Sequence, residues 1–136
     1  MKHETINPED WGRPKGYSNG ILAQPGRMLF VAGQIGWDKN EKLVSAEFVP
    51  QFEQAMQNVM AVVHAAEGKA SDICRLTIYV TDKQAYIDGI KDVGRAYREA
   101  MGKHFPTMAL VQVADLLEEG AMVEIEATAV IPEKQS

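Results

Sequence analysis

Apolar residues change their period along the chain, and each change predicts an element. Phe48, Phe52, Met56, Val59, Met60 and Val63 recur at intervals of three and four. That spacing gathers them on one face of a helix over residues 48–67, with Gly68 placed as its C-terminal cap. A second stripe, Tyr86, Ile90, Val93, Tyr97 and Met101, predicts a helix over about 84–101, ended by Gly102. Between them "ICRLTIYV" (73–80) alternates. Cys74, Leu76, Ile78 and Val80 point one way and Arg75, Thr77 and Tyr79 the other, as in a half-buried strand. "AMVEIEATAVI" (121–131) alternates too, with Val123, Ile125, Ala127, Ala129 and Ile131 on one face.

Shorter runs complete the pattern. A strand is expected near His3–Ile6, and "MLFVA" (28–32) reads as a buried strand. Pro25-Gly26 is a turn signal, so the runs on its two sides are expected to form a hairpin. Residues 107–113 form a further strand, and the acidic connection Asp115–Gly120 suggests a second hairpin with 121–131. The order is β-β-β-α-β-α-β-β. This predicts one α+β domain over residues 1–136, a mixed sheet with two helices on one face. The opposite face carries Thr77, Tyr79, Glu124 and Thr128 among apolar residues. It is neither plainly core nor plainly solvated, which suggests contact with another subunit.

Composition narrows the function classes. The 136 residues are 46% hydrophobic and 24% charged, as in ordinary globular proteins. The formal net charge is −5, and no Lys/Arg stripe is present, so a nucleic-acid partner is not expected. No run of about 18 apolar residues occurs, so no membrane partner is expected. The first residues lack the apolar core of a secretory signal, and the single cysteine allows no intrachain disulfide. A cytoplasmic location is the expectation.

Standard catalytic and nucleotide motifs are absent. There is no G-x-G-x-x-G after a strand and no P-loop. His3, His64 and His104 lack zinc-ligand spacing, so neither a metal nor a cofactor is expected. Cys74, on the strand face of Leu76 and Ile78, reads as a small buried hydrophobe rather than a nucleophile. Glu124 and Glu126 are the local anomaly, because Glu is disfavoured in strands. They fit either a solvated face or subunit salt bridges, or a carboxylate held at a cleft to orient water or move a proton. "KGYSNG" (15–20) is a turn-rich loop whose glycines allow close approach to a ligand.

Six segments then coincide in order: "GYSNGI" (16–21), "FVAGQIGWD" (30–38), Gln51 through "AMQNV" to Val59, "YVTD" (79–82), "FP" (105–106) and "VEIEATAV" (123–130). Together they resemble the RidA/YjgF family of enamine/imine deaminases, known in older usage as endoribonuclease L-PSP. The resemblance spans residues 3 to 131. It implies a chorismate-mutase-like fold, a homotrimer with a cleft at each subunit interface, and a small-molecule ligand bound there without cofactor or metal. In the deaminating members water attacks the imine carbon and ammonia leaves.

Carried over by position, the resemblance assigns the loop Tyr to Tyr17, the strand-end Gly whose backbone faces the ligand to Gly33, and the water- or ligand-contacting Glu to Glu124. It also exposes departures. Deaminating members carry Pro-Ala-Arg before the penultimate strand, and the Arg forks onto the substrate carboxylate. Here the stretch "HFPTMALVQV" (104–113) puts Met108 at that Arg and Leu110 at the family's Cys, and Gly94 stands at its helix Asn. Met offers no charge, and losing a desolvated Arg–carboxylate pair costs on the order of 2–5 kcal/mol. The expected site therefore pairs Glu124 as the catalytic group with Tyr17, Gly33, Met108 and Leu110 as ligand contacts. It disfavours a small amino-acid-derived anion unless His104 or Arg75 restores the charge. Two readings follow: a deaminase or hydrolase of altered specificity, or a non-catalytic ligand-binding trimer that serves as a sensor or chaperone. A ribonuclease is disfavoured by the acidic chain and the lack of a basic groove.

Overall fold

The first helical stripe becomes α1, Phe48–Ala65, and all six of its apolar positions are buried. The computed structural model describes residues 2–133; Met1 and residues 134–136 of the expected 1–136 unit lie outside them. The elements are β1 (Glu4–Ile6), β2 (Gly20–Leu22), β3 (Gly26–Ile35), α1, a one-turn 3-10 helix (Ala70–Asp72), β4 (Ile73–Val80), α2 (Lys83–Asp88), α3 (Ile90–Met101), β5 (Thr107–Gln112) and β6 (Val123–Pro132).

β3, β6, β4 and β5 form a four-stranded sheet in that order. β6 runs antiparallel to both β3 and β4, and β5 runs parallel to β4. α1 packs across β3 and β6 and against α3. The helices thus cover one face of a mixed sheet. The result is the α+β sheet that the element order predicts, in the chorismate-mutase-like architecture that the resemblance implies. Among the described residues no helix is long and apolar enough to cross a membrane.

Both expected hairpins are absent. β2 pairs with β1 in a separate ribbon instead of folding back on β3, and β5 and β6 are not neighbours. Burial explains the outcome. The inward row of β6, from Val123 to Ile131, is at most 5% exposed. A strand so apolar on one face is held in the interior of the sheet, between β3 and β4, where long-range pairing outweighs a local turn. β5 has no fully buried residue, and it takes the edge through a crossover from β4.

Three local expectations also change. The second helix is two, because the chain breaks at Gly89, whose Cα packs so closely on Val49 that a side chain would collide. The break lifts the stripe from the sheet, leaving Ile90 48% exposed while Val93, Tyr97 and Met101 stay buried. The left-handed residue after α1 is Glu67 (φ 64°) rather than Gly68. The amides of Glu67 and Gly68 bond the carbonyls of His64 and Val63 in a Schellman arrangement, and Gly68 packs on Ile131 and Val63. Finally, the β4–β6 register slips between Ile73 and Arg75. This irregularity puts Ile73 in the core and leaves Cys74 only half-buried. Burial still pushes the thiol pKa up.

One polar side chain is fully buried inside α1. Gln51 donates to the carbonyls of Ser45 and Gly120 and accepts from the Met122 amide at 2.8 Å. It ties the entry to β6 to the start of the helix.

Candidate functional site

A cavity of about 610 Å³ lies between β5 and α3 on the helix-covered side of the sheet. Met108 and Leu110 form part of its wall. Each pairs in register with a buried β4 residue, Met108 with Leu76 and Leu110 with Ile78. Side chains paired across a parallel ladder point to the same face, so both point toward the helices. Tyr17 lines the same cavity. Its loop is fastened to the start of β5. The buried Ser18 donates its hydroxyl to the Phe105 carbonyl at 2.5 Å and its amide to the Pro106 carbonyl at 3.1 Å. Two bonds spanning 87 residues of chain thus bring the Tyr17 loop to Met108.

Tyr97 stiffens the inner wall. Its ring stacks on Phe105 with centroids 5.4 Å apart, and its hydroxyl donates to the His104 carbonyl at 2.7 Å. Burial pushes the Tyr97 phenol far above its ordinary pKa, and Tyr86 shifts the same way for the same reason. Both rings therefore act near neutral pH as apolar walls with neutral hydroxyls.

Gly33 and Glu124 lie elsewhere. The β3–β6 register slips between Val31 and Gln34, so Ala32 and Gly33 both oppose Glu126. That bulge brings Gly33 under its neighbour. A methyl added at Gly33 would overlap the Glu124 carboxylate. Glu124 pairs in register with Tyr79 on the uncovered face of the sheet, and its side chain makes no hydrogen bond among the described residues. Its neighbour Glu126 is engaged: the Tyr79 hydroxyl donates to it at 2.8 Å, which raises the tyrosine pKa. The same face exposes 70% of Phe30 and 61% of Met28.

The five expected site residues thus divide. Tyr17, Met108 and Leu110 share one cavity; Gly33 and Glu124 meet on the opposite face of the sheet. Neither cation expected to restore charge beside Met108 lines the cavity. His104 bonds the Ile73 carbonyl through Nε2 at 2.7 Å, and Arg75 lies on the open face beside Thr128. Two other cations, Lys15 and Arg98, do line it. The signal for Arg98 was its spacing of one helical turn from Gly94. A Cβ on Gly94 would lie 3.2 Å from the Arg98 Nη1, so the guanidinium folds back over a bare stretch of helix. A mid-helix glycine costs about 1 kcal/mol relative to Ala, and here it leaves room for a charge. Among the described residues no cluster of three or more His, Cys, Asp or Glu side chains could hold a metal.

The fold is the chorismate-mutase-like α+β class, and sequence comparison gives the family. Residues 12–131 match the family described as Endoribonuclease L-PSP, and the chain belongs to it. This is the RidA/YjgF group that the six segments resemble. A RutC family protein of Pyrococcus horikoshii is 32% identical over 93% of this chain and 96% of its own length. The human 2-iminobutanoate/2-iminopropanoate deaminase is 30% identical over 84% of this chain and 79% of its own. The crystal structure of the Rid family protein YyfB from Yersinia pestis superposes with a TM-score of 0.85 at 29% identity, covering 96% of this chain and all of that one. The family thus includes deaminases at about the level of identity seen here.

Proposed function

We propose that this protein is a RidA-like deaminase, acting on a small enamine- or imine-type metabolite in clefts between the protomers of a homotrimer. The observation that carries the reading is the seat of Glu124: a carboxylate free of side-chain hydrogen bonds among the described residues, resting on the bulged backbone of Gly33 on an open sheet face. The deaminase relatives support it. So does the division of the site, since within one chain Glu124 and Tyr17 lie on opposite faces of the sheet and a shared cleft would need a second copy to join them. In this reading Glu124 takes a proton from water as its oxygen attacks the imine carbon. It returns that proton to nitrogen to give a carbinolamine, then carries the carbinol hydroxyl proton to the same nitrogen as the carbon–oxygen double bond forms and the carbon–nitrogen bond breaks, so that ammonia and a carbonyl compound leave. Met108 and Leu110 supply an apolar wall where deaminating relatives place Arg and Cys, so a small 2-imino acid held from β5 is not the preferred substrate.

That same wall, apolar where a catalytic anchor is expected, favours a second reading, a non-catalytic trimer that binds a small molecule. Ammonia release separates the two. The purified protein is given 2-aminoacrylate, 2-iminopropanoate and neutral enamines. Release that Glu124→Gln abolishes supports the deaminase. A ligand retained without product supports the binding trimer. Turnover of 2-iminopropanoate equal to that of Arg-containing relatives contradicts the role given to Met108.

A further inference from the structure

We propose that Arg98, assisted by Lys15, makes the cavity between α3 and β5 selective for organic monocarboxylates that carry an aromatic or branched apolar body. The inference rests on reading this cavity as the ligand-binding half of the site, and it names the ligand class. Four observations converge on it.

The first is charge. The chain carries a net −5, yet the charged residues lining the cavity are Lys15 and Arg98, with no Asp or Glu among them. A local excess of positive charge in an acidic protein selects an anion. The second is the state of Arg98. One turn away, Arg95 is paired with Asp92 at 3.0 Å. The Arg98 side chain has no ion pair and no hydrogen bond among the described residues. Its planar fork of donors matches a carboxylate in two-point geometry. The third is Gly94. Its missing side chain is what the guanidinium lies against, so this helix gives up local stability at the point where the cation needs room. The fourth is the rest of the lining. Phe52, Tyr86, Tyr97, Phe105, Met108 and Leu110 offer rings and thioether surface to an apolar body. The Tyr97 hydroxyl is already committed to the His104 carbonyl. Charge therefore enters from α3, and Met108 on β5 serves the ligand's apolar part.

The test is calorimetric binding of three stable probes to the intact protein: 3-phenylpropanoate, its neutral isostere 3-phenylpropanamide, and propanoate. The expected result is that 3-phenylpropanoate binds at least about 10-fold more tightly than either of the others, one charge-assisted contact being worth roughly that factor. Arg98→Gln is expected to erase the preference for acid over amide, while Arg98→Lys keeps part of it. Arg98 is exposed, and unchanged circular dichroism of both variants separates lost recognition from lost folding. Equal binding of acid and amide, no binding of 3-phenylpropanoate, or an unchanged acid/amide ratio in Arg98→Gln overturns the proposal. Ammonia release is scored separately. Selective binding without release removes the deaminase reading and leaves this one standing; release without selectivity does the reverse.

Discussion

The Cα of Gly33 lies against the carboxylate of Glu124, with no room for a side chain between them. The bulge at Ala32–Gly33 creates that contact by letting two residues of β3 face one of β6. Gly33→Ala therefore displaces Glu124 without touching the buried core. Ammonia release is expected to fall by about 10-fold to 100-fold, the cost of moving a reacting group by roughly an ångström. Thermal unfolding should shift by only a few degrees. Full activity in Gly33→Ala would remove Glu124 from the chemistry.

The uncovered sheet face gives a second test. Phe30 and Met28 stand out from β3, beside Thr77, Thr128 and the Tyr79–Glu126 pair. If three copies close over this face, Phe30→Glu buries a charge in the contact. Light scattering should then report one protomer mass in place of three, with the far-ultraviolet dichroism unchanged. A trimer that tolerates this substitution places its interface elsewhere.

Gln51 offers a test of stability alone. Gln51→Ala strands the Ser45 and Gly120 carbonyls and the Met122 amide, which it now satisfies. Leaving buried polar groups unpaired is expected to cost about 3 kcal/mol. The urea midpoint should fall by about 1–2 M at typical denaturant slopes. A midpoint within about 0.3 M of wild type would show that other groups take over these bonds.

Tyr97 predicts how stability responds to alkali. Its phenol titrates in the folded chain well above its ordinary value of 10.0, because burial disfavours the phenolate. Below that ordinary value the group is neutral in both states, and its contribution is complete. Above it the unfolded chain releases the proton first, so stability falls as pH rises. Tyr86, raised by the same cause, adds in the same direction. Between about pH 9 and about pH 11 the urea midpoint should decline steadily. Tyr97→Phe should start lower by about 1 kcal/mol for the lost hydrogen bond to His104, and then decline less steeply. Parallel profiles for the two proteins would refute the assignment.

Much of this architecture is legible in the sequence because it is periodic. α1 and the inward row of β6 follow directly from apolar spacing, and the outward glutamates follow from the same alternation. Pairing partners are not legible that way. Pro25-Gly26 and Asp115–Gly120 do carry turn chemistry, but β3 and β5 take their neighbours from distant strands whose burial is worth more than a nearby turn. Cys74 misleads for a related reason, since a register slip is invisible to alternation. At the candidate site, Tyr17, Met108 and Leu110 line one cavity, but the tie that holds the Tyr17 loop there, Ser18 across 87 residues, is not legible in their motifs. Arg98 escapes notice because a lone exposed cation on a helix looks like solvated surface. Only the bare backbone at Gly94, one turn earlier, gives it a direction.

The fastening of the Tyr17 loop by Ser18 also has a practical consequence. Its grip on the rest of the molecule at this point is two hydrogen bonds to backbone oxygens, and a carbonyl accepts without regard to the side chain it belongs to. The rim of the cavity can therefore be re-lettered at positions 15 to 17 while Ser18 holds the strand end in place. Selectivity becomes a property that a short surface segment can change, leaving the interior of the protein as it is.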